Sequence, residues 1–301
     1  MKAMMIKRGT RYAMFAALII FLAGALYAYS APSPERTTVA ALSKETHFHG
    51  IAVDPADSAR IYLATHHGLY AVGAAGEAQR ISEVRDYMGF TAHPKEAPVL
   101  FASGHPASGG NLGFMVSKDA GRTWTKLSDG VGGPVDFHQM DVSKADPRVI
   151  YGVYGSLQRS ADGGLTWQVV GKPPADIIDL AASSVDVNTI YAATQNGLQR
   201  SSDGGRTWNS LSDKPTIMVY ASGDGILYAF MIGTGLVRAA EKSPVWQVVS
   251  KDFAAEYILH LAADPRDANR LFAIAYNSQT RTQSVLASRD GGAHWAPLGT
   301  E

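Results

Sequence analysis

The chain has 301 residues, and 27 lysines and arginines balance 27 aspartates and glutamates to a formal net charge of zero. Without a basic tract, the sequence argues against nucleic acid as a partner. It has no cysteine, which excludes disulfides and a lipid anchor on a lipobox cysteine, so the core must suffice alone.

In chain order, Lys2, Lys7, Arg8 and Arg11 precede a mostly apolar run from Tyr12 to Tyr29, and no acidic residue occurs before Glu35. This is a targeting pattern, read as a hydrophobic helix that keeps the N-terminus in the cytoplasm and sends the rest across the membrane. The run has 18 residues against the ~20 that span hydrocarbon, and Ala28-Tyr29-Ser30 resembles a small-x-small cleavage site. Residues 1–30 therefore read as a signal peptide or an N-terminal membrane anchor, the only membrane contact expected of an extracytoplasmic protein. Residues 31–44, rich in Pro, Ser and Thr, read as a linker.

From residue 45 onward short strands recur. An apolar strand ended by turn residues (Gly50–Ser58, Leu180–Asn188, Leu261–Asn269) precedes a β-branched and aromatic one (Ile61–Thr65, Thr189–Thr194, Leu271–Ala275), then a third such as Gly197–Ser201. Four copies of one pattern follow: SKDAGRTW (Ser117–Trp124), SADGGLTW (Ser160–Trp167), SSDGGRTW (Ser201–Trp208) and SRDGGAHW (Ser288–Trp295). A decayed fifth ends at Trp246, so all five tryptophans share one repeat position, in steps of 43, 41, 38 and 49 residues. Such a period belongs to propeller blades, solenoids or arrays. The aspartates can fold back onto backbone N–H groups two residues on, and Gly121, Gly164, Gly205 and Gly292 can take the positive φ of a tight turn.

This motif, S-x-D-x-G-x-T-W, resembles the Asp-box or BNR repeat of sialidases, sortilin-type receptors, photosystem II stability/assembly factor-like proteins and small bacterial glycosylhydrolase-like proteins. The resemblance implies an all-β propeller over residues 45–301, with four-stranded antiparallel blades and each box at the turn between third and fourth strands. Six blades are expected, their first strands near His49, Met88, His138, Ile178, Met218 and Leu259. The repeats run from an inner strand to an outer one, which leaves ring closure open, with Thr37–Leu42 as an added strand and a seventh partial blade as the alternative to six.

In such a blade the second-to-third loops and blade links share the face where propellers usually bind ligands. His47, His49, His66, His67, His105, His138 and His260 map there, from a contiguous arc of blades six, one, two and three. His47, His49, His67 and His138 lead as metal ligands, with His105 and His260 beside them. Imidazole suits copper, zinc, iron or nickel, and thioether from Met88 or Met140 would favour copper(I). Hydrogen bonding within a polar channel, or an organic ligand, explains the same histidines.

Two functional classes follow. The assembly-factor resemblance implies a binding or assembly protein with a membrane-protein, peptide or glycan partner, for which Phe48, Tyr87, Phe137, Tyr220 and Tyr257 offer contact area. The alternative is a glycoside hydrolase using two of Asp86, Asp136, Asp176 and Glu256, since paired carboxylates on one face suit that chemistry. A sialidase is not supported: no Phe/Tyr-Arg-Ile-Pro motif is present, and Arg122 and Arg206 belong to boxes.

Overall fold

The computed structural model describes residues 36–251 and 253–300, so the apolar run 12–29 lies outside the described residues. Six antiparallel sheets form a six-bladed propeller, five of them with four strands and blade one with five. The inner strands of neighbouring blades pack side by side around the ring, and blade one meets blade six. Among the described residues no helix is long and apolar enough to cross a membrane.

The boxes form as turns, with one difference from expectation. Ser201 Oγ donates to Asp203 Oδ1 and accepts from the Gly205 N–H, both at 2.8 Å. Asp203 caps the N–H groups of Arg206 and Thr207, three and four residues on rather than two, and Thr207 Oγ1 donates to its other oxygen at 2.7 Å. The boxes at Asp119 and Asp162 repeat this pattern, and in the last one the His294 ring takes the place of threonine at 2.6 Å.

The box glycine also marks a close approach between blades. A Cβ on Gly205, whose φ is +94°, would lie 2.1 Å from Leu157 of the preceding blade, and one on Gly164 would lie 2.0 Å from Phe114. In blade five the box is replaced by the turn at Ala240–Ser243. There the buried Glu241 accepts from the Ser184 N–H at 3.0 Å, from Ser184 Oγ at 2.5 Å and from Tyr191 OH at 3.2 Å, stapling blade five to blade four.

Among the described residues no strand is exchanged to close the ring. Arg36–Thr38 adds a fifth strand to the outer edge of blade one, and Val39–Glu45 forms a helix, α1, capped by Thr38. Residues 36–44 of the segment read as a linker are thus ordered. Val39 and Leu42 of α1 join a core cluster with Phe48 and Tyr70 of blade one and Phe272 and Val285 of blade six. Gln283 of blade six completes the join, accepting from the Phe48 N–H at 2.6 Å and donating to its carbonyl at 3.2 Å.

Candidate functional site

The inner strands share a device at the channel mouth. Their pairing with the second strand slips between Phe48 and Gly50, Tyr87 and Phe90, Ile177 and Asp179, Thr216 and Met218, and Ile258 and His260. A bulge leaves one residue unpaired and re-aims it. His49, Met88, Ile178, Ile217 and Leu259 stand there, and His138 occupies the same place just ahead of Gln139–Val142. In blade five the residue is Ile217, whereas Met218 is fully buried.

Two clusters of possible ligands lie at this mouth, each with its donor atoms within 4.8 Å of one another: His49, His66 and Asp86, and His105, Asp136 and His138. Counted from the pairs Val53–Ile61 and Ala92–Leu100, His66 and His105 hold the same position at the end of the second strand. Asp86 and Asp136 likewise share the position that opens the next blade's inner strand. Each cluster therefore spans a blade joint, and the His–Asp pair of the first recurs in the second one blade on, while the third member comes from the earlier blade in the first cluster (His49) and from the later blade in the second (His138).

In the first cluster His66 Nδ1 lies 2.7 Å from Asp86 Oδ2, and its Nε2 lies 3.1 Å from His49 Nε2. Burial, reinforced by His66, pushes His49 down to about 4, so its ring is neutral at physiological pH. Exposed His47 stands with its ring centroid 5.9 Å from that of His66. In the second cluster His105 Nε2 and His138 Nε2 converge on one oxygen of buried Asp136, at 2.9 and 2.7 Å. Its hydrogen bond to Asp136 holds the His138 ring above the usual histidine range. The other oxygens, Asp86 Oδ1 and Asp136 Oδ1, are buried without a hydrogen-bond partner among the described residues.

His105 defines the electrostatics. Its Nδ1 lies 2.8 Å from the Gly110 carbonyl, which only accepts, so the ring proton is assigned to Nδ1. Nε2 then faces a carboxylate oxygen 2.9 Å away. Either a proton on Nε2 or a metal ion bridges the two atoms at that distance. A histidine whose far nitrogen donates to a backbone carbonyl is also the common arrangement of metal-binding imidazole.

Of the sequence candidates, His49, His105 and His138 enter the clusters, joined by Asp86 and Asp136. His67 is exposed, and its backbone N–H donates to Thr65 Oγ1. His260 lies deeper, in the channel throat beside Asp179 and Met140, and burial lowers it to about 4. Met140 is buried in the core, and Met88 belongs to neither cluster. Asp176 is exposed at a blade link with φ of 57°, and half-buried Glu256 opens the blade-six inner strand. His66 was the cluster member passed over; aligning second strands as well as first ones places it level with His105.

No protein-family model matches the chain, and no curated protein matches it. Solved structures do. A GH74 xyloglucanase from Xanthomonas campestris is 20% identical with a TM-score of 0.54, covering 88% of this chain and 47% of its own. YCF48 bound to D1 peptide is 14% identical with a TM-score of 0.52, covering 90% and 88%. PorZ, a surface component of the type-IX secretion system of Porphyromonas gingivalis, is 13% identical with a TM-score of 0.51, covering 85% and 38%. What they share with this chain is the β-propeller. The chain spans about half the length of the xyloglucanase, and one fold carries an enzyme, a peptide-bound protein and a secretion component.

Proposed function

We propose that the protein is an extracytoplasmic binding propeller whose blade-one-to-three mouth takes a divalent transition metal, zinc or copper, at its two His–His–Asp clusters. The observation that carries this is the meeting of His105 and His138 on Asp136. A metal ion would take the place of the proton between His105 and Asp136 and give the orphaned Asp136 oxygen a partner. Two imidazoles and a carboxylate suit zinc(II) or copper(II). With no thioether in either cluster, the copper(I) preference loses its support.

Three protein ligands leave a coordination position for water or for a donor atom of a partner. A peptide or protein partner docking at the mouth fits that chemistry, and YCF48 was solved with a peptide bound. Hydrolysis is the weaker reading, because Asp86 and Asp136 are engaged by imidazoles and Asp176 is exposed on a blade link. Export is supported by the basic residues Lys2 to Arg11 ahead of the apolar run.

Calorimetric titration of the metal-free full-length protein with zinc(II) and copper(II) tests the proposal. Saturable uptake is expected, reduced by Asp136→Asn and by His105→Ala. Absence of stoichiometric uptake, or uptake indifferent to both substitutions, overturns it.

A further inference from the structure

A sizeable cavity lies at the other end of the channel, where the Asp-boxes and first-to-second turns are. It measures about 410 Å3, within the ~300–1,000 Å3 of small-molecule sites. Its polar residues break the six-fold repeat. The position of Lys144 holds Pro55, Pro94, Ser184, Gly223 and Pro265 in the other blades, and that of Asp141 holds Ala52, Thr91, Ala181, Tyr220 and Ala262. A residue that merely completes a blade recurs from blade to blade. Lys144, Asp141 and Tyr220 do not, yet all three line this cavity.

Their mutual contacts are loose. Lys144 Nζ lies 3.5 Å from Asp141 Oδ2 and 5.0 Å from the centre of the Tyr220 ring. Asp141 is satisfied without it, accepting from the Val142 and Ala182 N–H groups, each at 2.9 Å. An ammonium has three donors, and that one long contact is the only hydrogen bond Lys144 Nζ makes among the described residues. Burial opposes its charge, but Asp141 and Tyr220 hold Lys144 above the usual lysine value, so it stays an ammonium.

The charges select the occupant. Lys144, with Lys95 on the lining, repels a cation, while Asp141, with Asp224 and Asp264, repels an anion. A neutral ligand rich in hydroxyls meets neither penalty. Adjacent hydroxyls can accept from the ammonium and donate to carboxylate, while a carbohydrate's C–H face lies on Tyr220 and the aliphatic wall of Ile51 and Ala262.

We propose that this cavity is a second binding site, separate from the histidine mouth, for a neutral saccharide unit. The unit is either a free monosaccharide or the end of a glycan, and Lys144 and Asp141 read its hydroxyls. Ligand-observed NMR and calorimetry on the full-length protein test this with glucose, galactose, mannose, xylose and cellobiose, and with benzoate and benzylamine as ionic controls. Saturable binding of at least one sugar is expected, weakened tenfold or more by Lys144→Met and unchanged by His105→Ala. Preference for cellobiose over its monomer indicates a glycan end, and the reverse a free sugar. In the unmutated protein, the amide resonances of Thr91, Lys144 and Tyr220 should shift with the sugar, which keeps the test independent of variant folding. No saturable sugar binding, stronger binding of either ionic control, or affinity unaltered in Lys144→Met overturns the proposal.

Discussion

His66 and His105 stand at the same position of consecutive blades, and each reaches across a blade joint to the aspartate opening the next inner strand. The distances are 2.7 Å to Asp86 and 2.9 Å to Asp136. Blade three continues the series with Gly155 and exposed Asp176, so the histidines stop where the pattern would next have placed one.

If each joint holds one ion, His66→Ala halves the metal stoichiometry by calorimetry and His67→Ala, one residue along, leaves it unchanged. Equal effects of the two substitutions would contradict the assignment of ligands.

Metal uptake at the second joint displaces whatever proton neutralises His105 and His138 against Asp136. The apparent binding enthalpy should therefore vary with the ionisation enthalpy of the buffer, and zinc affinity should fall as pH is lowered below the histidine range.

The box glycines are predicted to differ by position. Gly205→Ala combines a left-handed φ with a Cβ driven into Leu157, and should cost about 2–4 kcal/mol in chemical denaturation. Gly163→Ala, with φ of +76° and open space around the added carbon, should cost about 1 kcal/mol.

The throat carries a pH dependence of its own. His260 titrates near 4 when folded against 6.5 when unfolded, because burial disfavours its charge. Above pH 6.5 both states are neutral and nothing is lost. As pH falls from 6.5 towards 4 the unfolded chain takes up a proton that the folded one refuses, so stability declines. A His260→Leu variant should show a shallower decline, the remainder coming from His49, and parallel stability–pH curves for the two proteins would refute the assignment.

Truncating Leu42, 1% exposed between blades one and six, should destabilise the propeller by about 2–5 kcal/mol by denaturant titration.

The propeller was legible because four of the six blades rewrite the same turn chemistry, so Asp162 and Gly164 announce their place whatever surrounds them. The site was legible only by halves. His49 and His138 could be aligned on the inner strands, but a bulge is invisible to an alternating pattern, which is why Met218 was aligned where Ile217 stands. Asp86 and Asp136 were visible as a repeated position, yet their pairing with His66 and His105 links the end of one blade to the start of the next. Alignment within blades does not display that relation. Helix α1 was missed because its two buried anchors, Val39 and Leu42, are too few to show a helical period.

Helix α1 also orders events during synthesis. The segment that seats against Phe272 and Val285 leaves the ribosome more than two hundred residues before them. The earliest part of the propeller must wait for the latest, and until blade six arrives its two apolar anchors have nowhere to go. A nascent chain stalled short of that point would carry an unclosed circle with a sticky end.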